Sequence, residues 1–293
     1  MTFISRYVRV AGRRLHVRSR ALPGTPWVLL HGLAVSHRYL MPTATALPGP
    51  VYAPDLPGFG RSGAPRRALD PREHAAVIAA WMDADGLRGA RVLGGSYGCQ
   101  VAVELAISRP DLAGLLVLAG PTADPAAGMV AHALRLARDL PREDLRHMPA
   151  VVAGTLAAGP RRIVATLRTA VRHRIERRLP LVTAPVLVLR GEHDPIAPDA
   201  WTSFLAGVAS CRTLTVPGAG HNVVTTAGPR VAAAATAFAY DMEARPVSEA
   251  PCRAPAPAPT SSATETFSSP RPPASSTATA PEPRSRRSPA RPE

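Results

Sequence analysis

The sequence predicts an α/β fold, with a mostly parallel sheet flanked by helices and a helical insertion. Three observations lead to this prediction. Short apolar strands alternate with helices over residues 27–120, the alternation returns over 181–243, and residues 121–180 between them are helical. Continuous apolar strands such as 27–30 and 186–189 are typical of parallel strands covered on both faces. Sheets of this kind bind ligands beyond the carboxyl ends of their strands.

The first elements of the chain are a hairpin and two strand–helix pairs. Residues 6–10 and 14–18 alternate in polarity around Ala11-Gly12, which predicts an antiparallel hairpin. The apolar strand at 27–30 is followed by a helix that Ser36 is expected to cap and that runs to about Ala46. The next strand, at 51–53, leads through a turn-rich loop to a helix capped by Asp70.

The same alternation accounts for the remaining elements of the core. A strand at 90–93, a helix at 99–106 and a strand at 115–118 precede the insertion. After the insertion come a strand at 186–189, a helix at 198–209, a strand at 213–216 and a last helix to about Met242.

The composition of the chain divides it into three regions. Residues 1–120 and 181–243 form the predicted core, and residues 121–180 form a predicted helical cap. The cap follows a strand of the core, so it is expected to lie over the carboxyl edge of the sheet. Residues 244–293 are rich in Pro, Ala, Ser and Thr, which predicts a disordered tail because such a segment buries too little apolar surface.

The charge of the chain does not indicate a nucleic-acid-binding protein. The formal net charge is +14, and the sequence contains arginine but no lysine. Aromatic residues make up only 4% of the chain, which offers few stacking platforms, and no nucleic-acid motif accompanies the charge. A solvated basic surface is therefore the favoured interpretation.

The sequence also predicts a cytoplasmic protein that does not insert into membranes. The N-terminus carries arginines where a signal peptide needs an apolar core, and no apolar run approaches the ~18 residues of a membrane span. The three cysteines fit neither a disulfide framework nor a metal-binding spacing. Cys99 is expected to be a buried, small apolar residue.

The most informative motif is Gly-Gly-Ser-Tyr-Gly at residues 94–98, which has the pattern Gly-x-Ser-x-Gly. It lies between the predicted strand at 90–93 and the predicted helix at 99–106. A serine on so sharp a turn has a strained backbone, and the flanking glycines remove Cβ atoms that would clash. The helix N-terminus beneath the turn favours developing negative charge. Ser96 is therefore the candidate nucleophile.

A nucleophilic serine needs a base, and the base needs an acid that orients it. Asp194 lies in the loop after the strand at 186–189, and His221 ends the sequence Gly-Ala-Gly-His after the last strand. Both residues follow strands of the predicted parallel sheet, as Ser96 does, so one edge of the sheet can bring the three together.

Three further residues lie near these positions in the sequence. His193 is adjacent to Asp194 and is expected to point away from it. Asp124 follows the strand at 115–118 and is a competing candidate for the acid, although it can also cap a helix of the cap. His31 ends the strand at 27–30 and is expected to shape the loop that holds an oxyanion.

Five motifs in this order resemble those of the α/β-hydrolase superfamily, in its cap-bearing group of serine hydrolases that includes esterases and carbon–carbon hydrolases. The resemblance covers nearly all of residues 5–243. The motifs are His-Gly at 31–32, Asp-Leu-Pro-Gly-Phe-Gly-Arg-Ser at 55–62, the nucleophile elbow at 94–98, Gly-Glu-His-Asp-Pro at 191–195 and Gly-Ala-Gly-His at 218–221.

The resemblance implies the α/β-hydrolase fold and a catalytic triad without cofactor or metal. By this likeness Ser96 attacks the substrate, His221 is the general base and Asp194 fixes the tautomer of His221. The backbone N–H groups of Leu33 and Tyr97 are the implied oxyanion hole.

Two residues depart from the pattern of the superfamily. Many relatives have a glycine where this chain has Cys99, and many have His or Asn where it has Gly95. Gly95 before Ser96 is similar to the proline iminopeptidases, whose acidic cap residues hold a substrate amine, but the arginine-rich cap argues against that activity. An aspartate nucleophile, as in dehalogenases and epoxide hydrolases, is excluded because residue 96 is serine.

The predicted function is cofactor-independent hydrolysis of an ester or thioester of a small-molecule substrate through an acyl-enzyme. Apolar residues of the cap are expected to enclose a mainly apolar acyl group, and most cap arginines are expected to face water; the apolar residues are Met129, Val130, Leu134, Leu136, Met148, Val151, Val152 and Leu156. One alternative is a carbon–carbon bond hydrolase of a vinylogous diketo acid. Another is a catalytically silent member that binds a ligand.

Overall fold

The computed structural model describes residues 2–122, 134, 135, 138 and 148–244. The predicted tail beyond residue 244 and most of the first half of the predicted cap lie outside these residues. Eight strands run through the described part: β1 (Ile4–Val10), β2 (Arg13–Arg20), β3 (Trp27–Leu30), β4 (Val51–Pro54), β5 (Ala90–Gly95), β6 (Ala113–Ala119), β7 (Val186–Gly191) and β8 (Arg212–Val216).

Nine helices with full bounds lie in the same part of the chain. They are α1 (His37–Ala46), α2 (Pro71–Ala84), α3 (Tyr97–Ser108), α4 (Met148–Ala158), α5 (Pro160–Arg172), α6 (Ile175–Arg178), α7 (Asp199–Ala209), α8 (Val223–Thr226) and α9 (Gly228–Glu243). No helix among the described residues has both the length and the apolar character that crossing a membrane requires.

The strands form one sheet in the order β1-β2-β4-β3-β5-β6-β7-β8. β1 pairs antiparallel with β2, and β2 pairs antiparallel with β4, while all other neighbours are parallel. The prediction of a mostly parallel sheet flanked by helices is therefore confirmed. The strand order reverses at β3, so the loops after β3 and β5 border the crevice where sheets of this kind bind ligands.

The continuous apolar strands are explained by burial on both faces of the sheet. Trp27 and Leu29 of β3 join the apolar cluster that α1 and α9 cover, whereas Val28 and Leu30 join the cluster that α2 and α3 cover. Since successive side chains of a strand point to opposite faces, a strand between two helical layers must be apolar at every position.

Ser36 precedes α1 as predicted, but its side chain makes no capping hydrogen bond. Instead, Oδ1 of Asp55 accepts the backbone N–H of His37 at 2.7 Å. A buried carboxylate makes a stronger, charge-assisted bond than a hydroxyl does, so Asp55 replaces the local cap. The sequence motif Asp-Leu-Pro-Gly thus ties the loop after β4 to the start of α1.

Asp55 is fully buried and joins three segments of the chain: β2, α1 and the loop after β4. Besides the N–H of His37, its carboxylate accepts from Nδ1 of His37 and from Nδ1 of His16, each at 2.9 Å, and from the backbone N–H of Arg61 at 2.9 Å. Burial alone would raise the pKa of Asp55, but the hydrogen bonds from His16 and His37 outweigh it and lower that pKa below its usual range.

Helices α4, α5 and α6 lie between β6 and β7, within the predicted insertion. The apolar residues from Ile163 to Leu179 do not lie on one helix, because α5 ends at Arg172 and α6 starts at Ile175. At the break, Nε2 of His173 contacts Oε1 of the buried Glu104 at 2.8 Å. The contact joins the break to α3, which carries Glu104.

We expect Asp55→Asn to lower the free energy of unfolding by about 2–4 kcal/mol. The asparagine side chain replaces one acceptor oxygen with an NH₂ group, which would face the N–H donors that surround this buried position. The matched control is Asp199→Asn, whose carboxylate is 74% exposed and lies 3.4 Å from Arg190. The control should lose less than about 1 kcal/mol. Urea unfolding followed by circular dichroism measures both, and equal losses would contradict the role given to Asp55.

Candidate active site

Ser96 lies at the turn between β5 and α3, with φ 53° and ψ −119°. This left-handed backbone is strained for a residue with a side chain and is typical of a nucleophile elbow. The turn is possible because Gly98 has no side chain: a Cβ atom there would lie 2.2 Å from the carbonyl oxygen of Leu30. The side chain of Ser96 remains partly exposed, so a substrate can approach it.

The structure brings the three residues of the predicted triad together. Nε2 of His221 lies 3.0 Å from Oγ of Ser96, and Nδ1 of His221 lies 3.0 and 3.1 Å from the two carboxylate oxygens of Asp194. Because an ionised carboxylate only accepts, Nδ1 of His221 carries the proton and Nε2 is free to accept from the Ser96 hydroxyl. This tautomer is the one that a general base needs.

Two backbone donors keep Asp194 ionised in its buried position. Its Oδ1 atom accepts the N–H of Ile196 at 2.8 Å and that of Ala197 at 2.9 Å. Burial acts to raise the pKa of Asp194, but the attraction and hydrogen bond of His221 together with these N–H groups lower it overall. The competing acid Asp124 lies outside the described residues.

The loops that carry Asp194 and His221 lie in direct backbone contact. The N–H of His193 donates to the carbonyl oxygen of Ala219 at 2.9 Å. A Cβ atom on Gly191 would lie 2.1 Å from the carbonyl oxygen of Gly220, so only glycine permits this approach. The His193 side chain is half exposed, which agrees with the prediction that it faces away from Asp194.

The His221 loop is also fixed to α1, a contact that sequence reasoning missed. The Tyr39 hydroxyl donates to Oδ1 of Asn222. The Thr225 hydroxyl donates to the carbonyl oxygen of Tyr39 at 2.7 Å. The Thr43 hydroxyl donates to the carbonyl oxygen of Val224 at 2.5 Å. The four polar side chains have no recognisable spacing in the sequence, because the paired residues are 181 to 186 positions apart.

His31 supports the loop after β3, as the sequence predicts. Its Nδ1 donates to the carbonyl oxygen of Gly32 at 2.8 Å, and its Nε2 accepts the N–H of Leu56 at 2.9 Å. Burial lowers the pKa of His31 and keeps the ring neutral, as the second bond requires. His31 thus joins the loops after β3 and β4.

The two predicted oxyanion donors lie on either side of Ser96. Leu33 follows Gly32, which lies close to Ser96: a Cβ atom on Gly32 would be 3.3 Å from Cβ of Ser96. Tyr97 directly follows Ser96 and is the first residue of α3. Within the part of the chain that the structure describes, the backbone N–H groups of Leu33 and Tyr97 have no hydrogen-bond acceptor. They remain available to a ligand oxygen.

The side chain of Tyr97 is held by a buried histidine that sequence reasoning missed. The Tyr97 hydroxyl donates to Nδ1 of His74 at 2.9 Å, and Nε2 of His74 donates to the carbonyl oxygen of Pro57 at 3.2 Å. Burial lowers the pKa of His74 to about 4, so the ring is neutral and Nδ1 can accept. α2 thereby fixes the residue that offers an oxyanion donor.

Both departures from the superfamily pattern fit their surroundings. Cys99 is fully buried, as predicted, and its thiol donates to the carbonyl oxygen of Gly94 at 3.1 Å; burial raises the pKa of this thiol. A Cβ atom at Gly95 would lie 3.4 Å from Val224 and 3.8 Å from Tyr39. A larger side chain at Gly95 would push against the His221 loop.

One cluster of described residues has the composition of a metal site, namely His16, His37 and Asp55. Both Nδ1 atoms donate to the carboxylate, and backbone N–H groups of His37 and Arg61 occupy its remaining acceptor positions. A cation would have to displace these four donors. The cluster therefore serves as a hydrogen-bonded junction.

The insertion contacts the loops that surround Ser96. The Thr155 hydroxyl of α4 donates to the carbonyl oxygen of Ala34 at 3.4 Å, and Arg162 of α5 donates to that of Pro65 at 2.7 Å. Nε2 of Gln100, one turn beyond Ser96, donates to the carbonyl oxygen of Ala170 in α5 at 2.9 Å.

The described side chains of the insertion only partly match the expected apolar enclosure. Leu134, Val152 and Leu156 are exposed by 61%, 48% and 75%, so the prediction that they enclose a dry cavity is wrong. The sequence of α4 is apolar on all sides. Gly154 lies on the face of α4 that packs against Ala34, and Val152 and Leu156 lie on the other face, exposed to solvent. The side chains of the other five predicted residues lie outside the described set: Met129, Val130, Leu136, Met148 and Val151.

We predict that His74 makes the stability of the protein depend on pH. The folded state keeps His74 neutral while the unfolded chain binds a proton below about pH 6.5, so stability falls as the pH falls from about 6.5 towards 4. Between pH 7 and pH 5 the wild type should lose about 2 kcal/mol more stability than His74→Gln. The matched control, His193→Gln at a half-exposed position, should behave like the wild type. Urea titrations at both pH values measure this, and parallel losses in wild type and His74→Gln would refute it.

Parts of the sequence are similar to curated proteins. A haloalkane dehalogenase of Mycolicibacterium paratuberculosis is 31% identical over 135 residues, which are 41% of this chain and 45% of the relative. Lipase LipV of Mycobacterium tuberculosis is 38% identical over 110 residues, 36% of this chain and 41% of the lipase. The chain spans about half the length of the curated relatives it matches.

Solved structures extend the likeness in fold. The crystal structure of E-2-(acetamidomethylene)succinate hydrolase superposes with a TM-score of 0.70 and 22% identity, covering 82% of this chain and 100% of that chain. A thermophilic esterase from Thermogutta terrifontis gives a TM-score of 0.68 and 21% identity, covering 82% and 99%. The profile of the alpha/beta hydrolase family matches residues 27–235. The chain therefore belongs to the alpha/beta hydrolase family.

Proposed function

We propose that this chain is a cofactor-independent serine hydrolase that cleaves esters or thioesters through an acyl-enzyme. The observation that carries the proposal is the position of His221, which lies within 3.0 Å of both Ser96 and Asp194. Nucleophile, base and orienting acid in hydrogen-bond contact are the arrangement that acyl transfer needs. The family supports hydrolysis in general, and Ser96 supports the acyl-transfer type.

In the proposed reaction Oγ of Ser96 attacks the scissile carbonyl carbon while Nε2 of His221 takes the hydroxyl proton. Asp194 stays ionised and stabilises the imidazolium that forms. As the tetrahedral intermediate collapses, His221 gives its proton to the leaving oxygen or sulfur, and the acyl group remains on Ser96. Water activated by His221 then attacks the acyl-enzyme, which releases the acid and restores the Ser96 hydroxyl.

The backbone N–H groups of Leu33 and Tyr97 are the proposed oxyanion hole. Both flank Ser96 and lack an acceptor among the described residues, so they can bind the oxyanion without first breaking another bond. His31 holds the carbonyl group that precedes the Leu33 N–H, and His74 holds the Tyr97 side chain, each through a neutral, buried ring. Such preorganisation is usually the largest single contribution to acyl-transfer catalysis.

The insertion at residues 121–180 is proposed to be a cap over Ser96 in a core made of residues 1–120 and 181–243. Its contacts with Ala34, Pro65 and Gln100 support this position, since all three lie at the carboxyl edge of the sheet. Ile163, Leu167 and Val171 form a half-buried apolar row on α5, which favours a mainly apolar acyl group.

The arginines of the cap do not favour the carbon–carbon hydrolase alternative. Arg162 and Arg178, which are partly buried, are bound to the Pro65 carbonyl oxygen and to Glu104. The other described arginines of α5 and α6 are exposed, namely Arg161, Arg168, Arg172 and Arg177. No described arginine of these two helices is buried and free to hold a substrate carboxylate. A silent binding member is disfavoured because Ser96, Asp194 and His221 are all present.

We expect Ser96→Ala to retain the fold and to lose up to about 10⁶-fold in kcat/KM for p-nitrophenyl butyrate, because no other nucleophile lies at the elbow. Ser203→Ala is the matched control, since Ser203 is an exposed serine on α7. It should keep full activity. A folded Ser96→Ala protein that keeps a tenth of the wild-type rate would refute the proposed mechanism.

The acid of the triad can be assigned by comparing two substitutions. Asp194→Asn should lower kcat by about 10⁴-fold, because the amide holds His221 in the wrong tautomer. Asp124→Asn should have a much smaller effect if Asp124 caps a helix. Steady-state kinetics of both variants at the same pH decides the question, and a larger loss for Asp124→Asn would transfer the role to Asp124.

A further inference from the structure

An arginine-lined pocket of about 270 Å³ lies apart from the triad. It is bordered by β1, β2, α1 and the loop after β4, and none of Ser96, Asp194 and His221 lines it. The residues that form its walls are Ser5, Arg18, His37, Arg38, Met41 and Arg61.

The pocket concentrates positive charge that the described carboxylates only partly balance. Arg18, Arg38 and Arg61 come from three separate elements, and none of them forms an ion pair in the part of the chain that the structure describes. Among the described residues, their guanidinium groups make one hydrogen bond, from Nη1 of Arg18 to Oγ of Ser5 at 3.1 Å. Guanidinium groups brought together in this way repel each other unless an anion binds between them.

The ionised carboxylate of Asp55 contacts two residues of the pocket wall, His37 and Arg61, and offsets part of the arginine charge. Three guanidinium groups against one carboxylate leave the pocket positive. The net positive charge of the pocket therefore favours an anionic ligand.

We propose that this pocket binds the phosphate group of a small, water-soluble phosphorylated ligand. Phosphate offers three terminal oxygens and nearly two negative charges, so it can engage three guanidinium forks at once. A carboxylate has two oxygens and one charge and can satisfy fewer of them. The Ser5 hydroxyl is a further donor at the same wall. The site does not depend on the hydrolase proposal, since no triad residue takes part.

Isothermal titration calorimetry at constant ionic strength tests the proposal with inorganic phosphate, glycerol 3-phosphate and acetate. The full chain should bind both phosphates and not acetate. Arg38→Gln and Arg61→Gln should each weaken phosphate binding at least ten-fold, and both variants should fold because these side chains are exposed. Arg9→Gln is the matched control: it removes the same charge from an exposed position on β1, four residues from Ser5, and should bind as the wild type does.

Three results would overturn the proposal. The first is absence of phosphate binding by the wild type, and the second is equal weakening in the Arg9→Gln control. The third concerns the source of the phosphate. If the wild type does not bind glycerol 3-phosphate but sediments with phosphatidic acid vesicles and not with phosphatidylcholine vesicles, the ligand is a lipid headgroup. Kinetics of ester hydrolysis are not part of this test, so its failure leaves the triad untouched.

Discussion

At the carboxyl edge of the sheet, the backbone segments that carry the triad lie against carbonyl oxygens at distances that leave no room for a Cβ atom. Gly98 makes this approach towards Leu30, and Gly191 makes it towards Gly220. The first contact brings the nucleophile helix onto β3, and the second joins the loops of Asp194 and His221. These approaches bring together the turns and loops whose side chains lie 3.0 Å apart in the triad.

Buried ionisable side chains, each held in one protonation state, stabilise the loops at this edge of the sheet. Asp55 and Asp194 stay ionised because several N–H donors converge on each carboxylate. His31 and His74 stay neutral because burial disfavours their charged forms, and each ring then offers one donor and one acceptor to neighbouring segments. Polar networks of this kind specify one geometry because each unpaired partner would carry a desolvation cost. The loops on either side of Ser96 are therefore held by chemistry as well as by packing.

Local signals in the sequence were sufficient to predict the strands, the order of α/β elements and the candidates Ser96, Asp194 and His221, because each candidate follows a strand within a short motif. Contacts between distant segments were not predictable in this way. Asp55 caps α1 in place of the adjacent Ser36, and His74 meets Tyr97 only because α2 packs on α3. Hydrophobicity likewise could not show that Val152 and Leu156 face outwards, since α4 is apolar on every side.

The site of covalent modification by a fluorophosphonate tests the central claim most directly, because this reagent reacts only with an activated nucleophile. The full chain is labelled at neutral pH, digested and mapped by mass spectrometry. The account predicts one stoichiometric adduct on Ser96, formed by the pairing of its hydroxyl with His221. An adduct on another residue, or no adduct on a natively folded protein, would contradict it.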